Sequence, residues 1–380
     1  MKFIFAPDSF KGSLSAARAA QLLQEAALAH FPEAKCVCMP IADGGEGTVD
    51  ALLTACGGEE RVAVVTGPLG TPVRARWALL ANGAAALEMA QASGLPLTAG
   101  HLDPMAASSR GTGELMLAAL RAGARTLLLG LGGSATNDGG MGMLHALGVR
   151  FWDAQGDELS GCGADLARVA RVDLDALSPQ ARAADIRVLC DVSNPLLGEN
   201  GATAVYGPQK GVTAQLFPAL EAGMANYARH LSAAVGREVA AFPGAGAAGG
   251  MGAALGGVLG ATLRPGIEAV LSLAHFDRHL EECDLVVTGE GRLDRQSVAF
   301  GKAPAGVALR CRARGVPVVA MTGGLGPGAE DYHALGRTAV FPIVDSPMGL
   351  ETAMRDAERL FSAAADRLFR VLRMGADLRR

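Results

Sequence analysis

A chain of 380 residues, half of them apolar, has ample material for burial and more length than one compact core commonly uses, so about two domains are expected. A net charge of −4, with no charge run beyond a terminal Arg379-Arg380 pair, gives no support to nucleic-acid or polyanion binding. Aromatic residues are only 4% of the chain, which predicts a core of Ala, Val and Leu, and no unbroken apolar stretch reaches the roughly 18 residues a membrane span needs.

The first element in chain order is a strand at Lys2–Ala6, too short and too early for a secretory signal. Ala16–Ala29 follows with apolar residues at helical spacing and Ser13 or Ser15 available as its cap. Arg61–Thr66 reads as another buried strand. Val73–Leu80 alternates, which predicts a half-exposed antiparallel strand, and Asn82-Gly83 joins it to Ala84–Ala90 as a hairpin. A helix at Glu114–Ala122 precedes a strand at Thr126–Gly130. Further on come a strand at Ile186–Cys190, a helix at Gln215–Val235 and a strand at Leu285–Thr288. A helix at Ala303–Arg314, a strand at Val316–Met321 and a helix at Leu350–Leu372 complete the series.

Short apolar runs of Val, Ile and Leu closed by turn residues are the mark of buried parallel strands, and their alternation with helices predicts an α/β protein. The regular units at both ends suggest one doubly wound, discontinuous domain, residues 1–60 and 280–380, with a mixed α/β domain, 61–279, inserted; a division near residue 150 is the rival. Seven cysteines scattered among apolar neighbours read as plain buried thiols of a reducing compartment, the cytoplasm.

Ligands of α/β proteins gather at the carboxyl ends of strands. There the chain places Asp8-Ser-Phe-Lys11-Gly-Ser13, Asp43-Gly-Gly-Glu46, Gly132-Gly-Ser134-Ala-Thr136-Asn137-Asp138, Asp191-Val-Ser193-Asn194 and Gly289-Glu290-Gly-Arg292-Leu-Asp294. Any one acidic residue there can be a helix cap. Five such loops, four of them pairing carboxylates with glycines, argue for a site, because glycine lets amides approach phosphate and carboxylates bind Mg²⁺ or take a proton. Of five lysines, Lys11, Lys210 and Lys302 sit in turn-like motifs, where a compact ammonium suits a phosphate.

Familiar phosphate motifs are absent or weak. Gly301-Lys302 lacks the remainder of a P-loop. Gly130-Leu-Gly132-Gly-Ser-Ala135, with Asp153 downstream, and Gly244-Ala-Gly246-Ala-Ala-Gly249 resemble dinucleotide fingerprints, so an NAD-dependent dehydrogenase of a small hydroxy acid is the alternative enzyme. A two-domain small-molecule sensor is the non-enzymatic alternative. His275 and His279 share a helical spacing without a third ligand in view.

Taken together, Ala6-Pro-Asp8-Ser-Phe-Lys11-Gly-Ser13, Ala42-Asp43-Gly-Gly-Glu46-Gly-Thr48, Ser108-Ser-Arg110-Gly-Thr112-Gly-Glu114 and Gly130-Leu-Gly-Gly-Ser134-Ala-Thr136-Asn137-Asp138 resemble the bacterial glycerate kinases of the type-1 family. So do Cys190-Asp191-Val-Ser-Asn194-Pro, Tyr206-Gly-Pro-Gln209-Lys210-Gly, Pro243-Gly-Ala-Gly-Ala-Ala-Gly-Gly250, Thr288-Gly-Glu290-Gly-Arg292-Leu-Asp294 and Gly301-Lys302-Ala-Pro304. The motifs run in order over essentially the whole chain. The resemblance implies ATP-dependent phosphorylation of D-glycerate to 2-phosphoglycerate. It also implies two α/β domains, one flavodoxin-like, with the active site in the cleft.

Phosphoryl transfer needs charge neutralisation, alignment and a proton acceptor. On that basis Asp191, Lys11, Asp8 and Asp294 are the expected catalytic residues, with Asp43, Asp191 and Asp294 candidates for base or metal. Gly132, Gly133, Ser134, Asn137, Gly139, Lys302 and Glu290 are expected to hold ATP. Ser109, Arg110, Arg292 and Asn194 are expected on D-glycerate, whose carboxylate suits a bidentate arginine, and Asp43 with Glu46 on Mg²⁺. A homo-oligomer is allowed; nucleic-acid and membrane partners are not expected.

Overall fold

The computed structural model describes residues 1–299 and 301–378; the Arg379-Arg380 pair lies outside the described residues. Its strands, in chain order, are β1 (Lys2–Pro7), β2 (Lys35–Cys38), β3 (Gly58–Thr66), β4 (Pro72–Leu80), β5 (Ala85–Glu88) and β6 (Thr126–Gly130). Then come β7 (Arg150–Trp152), β8 (Arg171–Asp173), β9 (Asp185–Leu189), β10 (Thr262–Arg264), β11 (Leu285–Glu290), β12 (Val318–Thr322) and β13 (Thr338–Pro342). They belong to two compact units, Met1–Gly57 with Pro265–Arg380, and Gly58–Arg264.

The first unit holds an all-parallel sheet in the order β13-β12-β11-β1-β2. From β1 the chain steps to β2 on one side, then returns to lay β11, β12 and β13 on the other. The order therefore reverses between β1 and β11, whose Pro7 and Gly289 stand in register. In sheets of this flavodoxin-like order, that reversal is where a crevice opens beyond the carboxyl ends. The central strands are buried almost throughout, as a sheet covered on both faces requires.

Ser15, not Ser13, caps the first long helix, Ala16–His30, its Oγ accepting from the Arg18 N–H at 3.2 Å. The C-terminal helical pattern is broken where one helix was expected. Asp356, at φ −96° and ψ 12°, leaves helical geometry and separates Leu350–Arg355 from Ala357–Asp377; its carboxylate pairs with Arg355 at 3.1 Å and caps neither helix. The longer helix lays Leu360, Phe361, Leu368 and Phe369 on Phe3, Phe5, Phe10, Phe31 and the Ala16–His30 helix. The scarce aromatics are thus concentrated here: six of twelve phenylalanines sit in this one core, against the expectation of a core without rings.

The second unit carries a six-stranded mixed sheet, β10-β9-β6-β5-β4-β3, and a small antiparallel pair, β7-β8. The β4–β5 hairpin turns at Asn82-Gly83 as expected. Arg61–Thr66, expected as a buried parallel strand, is instead part of an edge strand paired antiparallel to β4. Its Val62 and Val64 are 44% and 70% exposed: the run is β-prone but only alternate residues face a core. Gly58, at φ +131, starts this strand so close to Leu79 that a Cβ would lie 2.3 Å from its carbonyl oxygen. Among the described residues no helix is long and apolar enough to cross a membrane.

Candidate functional site

At the β1/β11 reversal the first unit opens a pocket of about 640 Å³. Seven of the residues singled out from the sequence line it: Asp8, Lys11, Asp43, Glu290, Arg292, Asp294 and Lys302. They come from separate strand ends. Asp8 follows β1, its amide donating to the Gly289 carbonyl at 2.8 Å and its Oδ1 accepting from Ser9 N–H at 2.6 Å. Asp43 lies beyond β2, with Oδ1 turned to Gly45 N–H at 3.2 Å. Glu290 ends β11. Lys302 stands at the N-terminus of the helix Ala303–Arg312, where the helix dipole adds positive potential.

The charges in this pocket are mixed and crowded. Burial, then the charges of Asp43 and Glu290, hold the Asp8 carboxyl well above its ordinary range, against the pull of Ser9 N–H and Lys11. Burial pushes Glu290 up to about 7, with Asp43 and Asp294 adding repulsion and Ser297 and Lys302 opposing it. Its Oε1 and the nearby Ser9 Oγ are buried without a partner among the described residues. Carboxylates this perturbed, beside two lysines at a topological switch, are what a proton-transfer or phosphate site needs.

Two assignments in this unit change. Asp294 caps the short helix Arg295–Ala299, Oδ1 accepting from Gln296 N–H at 3.0 Å and Ser297 N–H at 3.1 Å, while Oδ2 pairs with Arg292 at 3.5 Å. That geometry leaves it a loop-holding residue more than a base. Glu46 is exposed and does not line the pocket. Ser9, Ser297 and Gly323-Gly324 were missed; the glycine pair just after β12 was a readable signal.

In the second unit the expected residues divide. Gly132 and Gly133 stay accessible at the end of β6, Gly133 at φ +73, where backbone can approach an anion. Ser134 is buried and bridges to Gly94. Gly139 gives its amide to the Gly249 carbonyl at 2.9 Å, so that amide is not available to a phosphate. Asn137 is fully buried, donating to Thr203 Oγ1 at 3.2 Å. Asp191 is half-buried beyond β9. Asn194 is engaged by Tyr206 Oη–H and by the Asn200 carbonyl, both at 2.8 Å, which makes it a clasp between loops.

Ser109 and Arg110 are also committed internally. The Ser109 amide and hydroxyl both donate to the fully buried Asp138 at 2.7 Å, and its Oγ accepts from Met143 N–H at 2.9 Å. Gly140 and Gly142 amides complete the carboxylate's shell. Arg110 pairs with Glu114 at 3.0 Å and meets His145 Nδ1 at 3.0 Å. Lys210, expected at a phosphate, is buried beneath the same loop and donates to the Thr136 carbonyl at 2.7 Å; burial lowers its pKa to about 7 despite Asp138. It holds backbone, not ligand.

The dinucleotide patterns do not build a nicotinamide site. No helix follows Gly132 directly; the next begins at Met141, and Asp153 is buried and paired to Arg168 at 2.6 Å. In the second pattern Gly249, at φ +71, lies against the Thr136 carbonyl, where a Cβ would come within 2.0 Å. His275 and His279 belong to no cluster of three metal-capable side chains, of which there is none among the described residues. The seven cysteines are free, but only Cys311 is fully buried.

A model of the "Glycerate kinase family" matches residues 3–373. Glycerate 2-kinase of Escherichia coli K12 is 45% identical over 94% of either chain, and glycerate kinase of Bacillus subtilis 168 is 44% identical over 96% of either. A solved structure of a candidate glycerate kinase 2 from Salmonella typhimurium LT2 superposes with a TM-score of 0.86 at 41% identity, covering 99% of both chains.

Proposed function

Because the chain belongs to the glycerate kinase family, we propose that it transfers the γ-phosphoryl group of ATP to D-glycerate, giving 2-phosphoglycerate. The observation that carries this is the convergence of Lys11 and Lys302 with Asp8, Asp43 and Glu290 in one pocket at the β1/β11 reversal. Lys11 and Lys302 offset phosphate charge, which in-line transfer requires before an alkoxide can approach. Glu290, titrating near neutrality, takes the hydroxyl proton as the new O–P bond forms and ADP leaves. Arg292, which lines the pocket where Arg110 does not, suits the glycerate carboxylate better.

The mutual repulsion of Asp8, Asp43 and Glu290 fits a divalent cation. Since no three of these groups are arranged to hold a metal alone among the described residues, Mg²⁺ would enter on the ATP phosphates, with Asp8 and Asp43 its nearest protein carboxylates. Bound there, it would neutralise phosphate charge. Gly132 and Gly133 keep the capacity to hold a phosphate through backbone amides. The cytoplasm, where ATP and reduced thiols coexist, is the fitting compartment.

The test is ADP release coupled to an indicator enzyme, with D-glycerate as acceptor, followed by phosphorus NMR of the product. Glycerate-dependent ADP release and a 2-phospho signal are expected. ATP left unconsumed, or hydride transfer to NAD⁺ from the same acid, would refute the assignment.

A further inference from the structure

The polar end of the β1/β11 pocket accounts for only part of it. A small hydroxy acid would fill a corner of about 640 Å³, a volume in the range that takes a nucleotide-sized ligand. The remaining wall is apolar and unusually open. Leu350 is 76% exposed, Leu325 54% and Met354 36%, and all three line the pocket. The helix that carries Leu350 and Met354, Leu350–Arg355, buries none of its residues, so these side chains do not serve a core. Exposed apolar side chains scattered singly need no explanation, but three on one pocket wall do.

The apolar wall adjoins the lysine loop. Met354 Cε lies where a Cβ on Gly12 would meet it at 3.1 Å, beside Lys11. Gly12 itself sits at φ +73, a conformation that suits glycine. Apolar surface and ammonium thus adjoin within one crevice. That pairing matches a ligand with a flat, weakly polar ring at one end and a polyphosphate at the other.

Building on the kinase assignment, we propose that the wall formed by Leu325, Leu350 and Met354 receives the adenine base of the phosphoryl donor, with the triphosphate running toward Lys11 and Lys302. A flexible thioether and two leucines cover a ring face without demanding a hydrogen-bond pattern, so the site grips the purine mainly by contact.

Calorimetric titration of the full chain with a non-hydrolysable ATP analogue, and separately with inorganic tripolyphosphate, tests this. Leu350→Asp and Met354→Asp place charge on the wall at exposed positions, so melting temperatures should stay near wild type. The analogue is expected to bind each variant at least about tenfold more weakly, while tripolyphosphate binds as before. Equal weakening of both ligands would overturn the proposal, because the phosphate loop itself would then have moved. Unchanged analogue binding, or a raised KM for D-glycerate alone, would also overturn it and give the wall to the acid. If the wild type releases no ADP with D-glycerate yet the analogue still binds through this wall, the kinase assignment fails and the base site stands.

Discussion

Glu290 shows how single residues acquire chemistry from their surroundings. Burial lifts its carboxyl, and Asp43 adds to the lift. A base must be deprotonated to accept the hydroxyl proton, so kcat/KM should fall on the acid side with an apparent pKa near 7, a value that belongs to the carboxylate set as a whole. Asp43→Asn removes one repelling charge. The acid limb of the pH–rate profile should then move to lower pH; a limb that stays in place would assign the base elsewhere. The same shift acts on stability in a defined sense. The folded-state pKa is raised, so the fold binds the extra proton between the ordinary carboxylate range and about 7, and this group's share of stability declines across that window as pH rises. Lys210 is the contrasting case. In the sequence it looks like Lys11 and Lys302, a lysine in a glycine turn; only its complete burial under Thr136 separates it from them. Short motifs report residue type and local turn, not which side of a loop the ammonium takes.

At the scale of elements, the strand–turn–helix rhythm was legible because buried parallel strands are short apolar runs with clear ends. What was not legible was each strand's place in the sheet. Arg61–Thr66 and Thr126–Gly130 are comparable runs, yet one lies at an edge and the other is central. That difference depends on which neighbours arrive from elsewhere in the chain. The short β2 and β13 were missed for the same reason: their contribution is register to a neighbour, not a long hydrophobic pattern. The glycine-rich loops were legible as special but not as divided in purpose. Ser109 illustrates the division, since it joins the start of the helix Arg110–Arg121 to that of Met141–Ala146 through Asp138. Ser109→Ala would remove one donor from a buried carboxylate and leave the Met143 amide short of its acceptor. A loss of about 1–3 kcal/mol in urea unfolding is expected. The KM for D-glycerate should change little, and a large rise in KM with unaltered stability would restore Ser109 to the substrate.

The molecule as a whole is organised as two units with cores of their own. Every residue in the core of Leu87, Leu115, Leu129, Met141, Tyr227 and their neighbours lies within Gly58–Arg264, a continuous segment with its own six-stranded sheet. The other core is assembled from the two ends of the chain, which meet where β1 pairs with β11. A continuous segment with a closed core should fold alone. Both tryptophans belong to it, Trp77 buried at 3% exposure and Trp152 stacked under the Arg171 guanidinium at 3.7 Å, so their emission reports this unit specifically. Residues 58–264 expressed by themselves should therefore give blue-shifted tryptophan emission and a cooperative thermal transition seen equally by fluorescence and far-ultraviolet circular dichroism. The fragment should release no ADP, because Lys11, Lys302 and Glu290 belong to the other unit. Red-shifted emission with a broad transition would show instead that the segment needs the rest of the chain to fold, and that the two cores are not independent in stability.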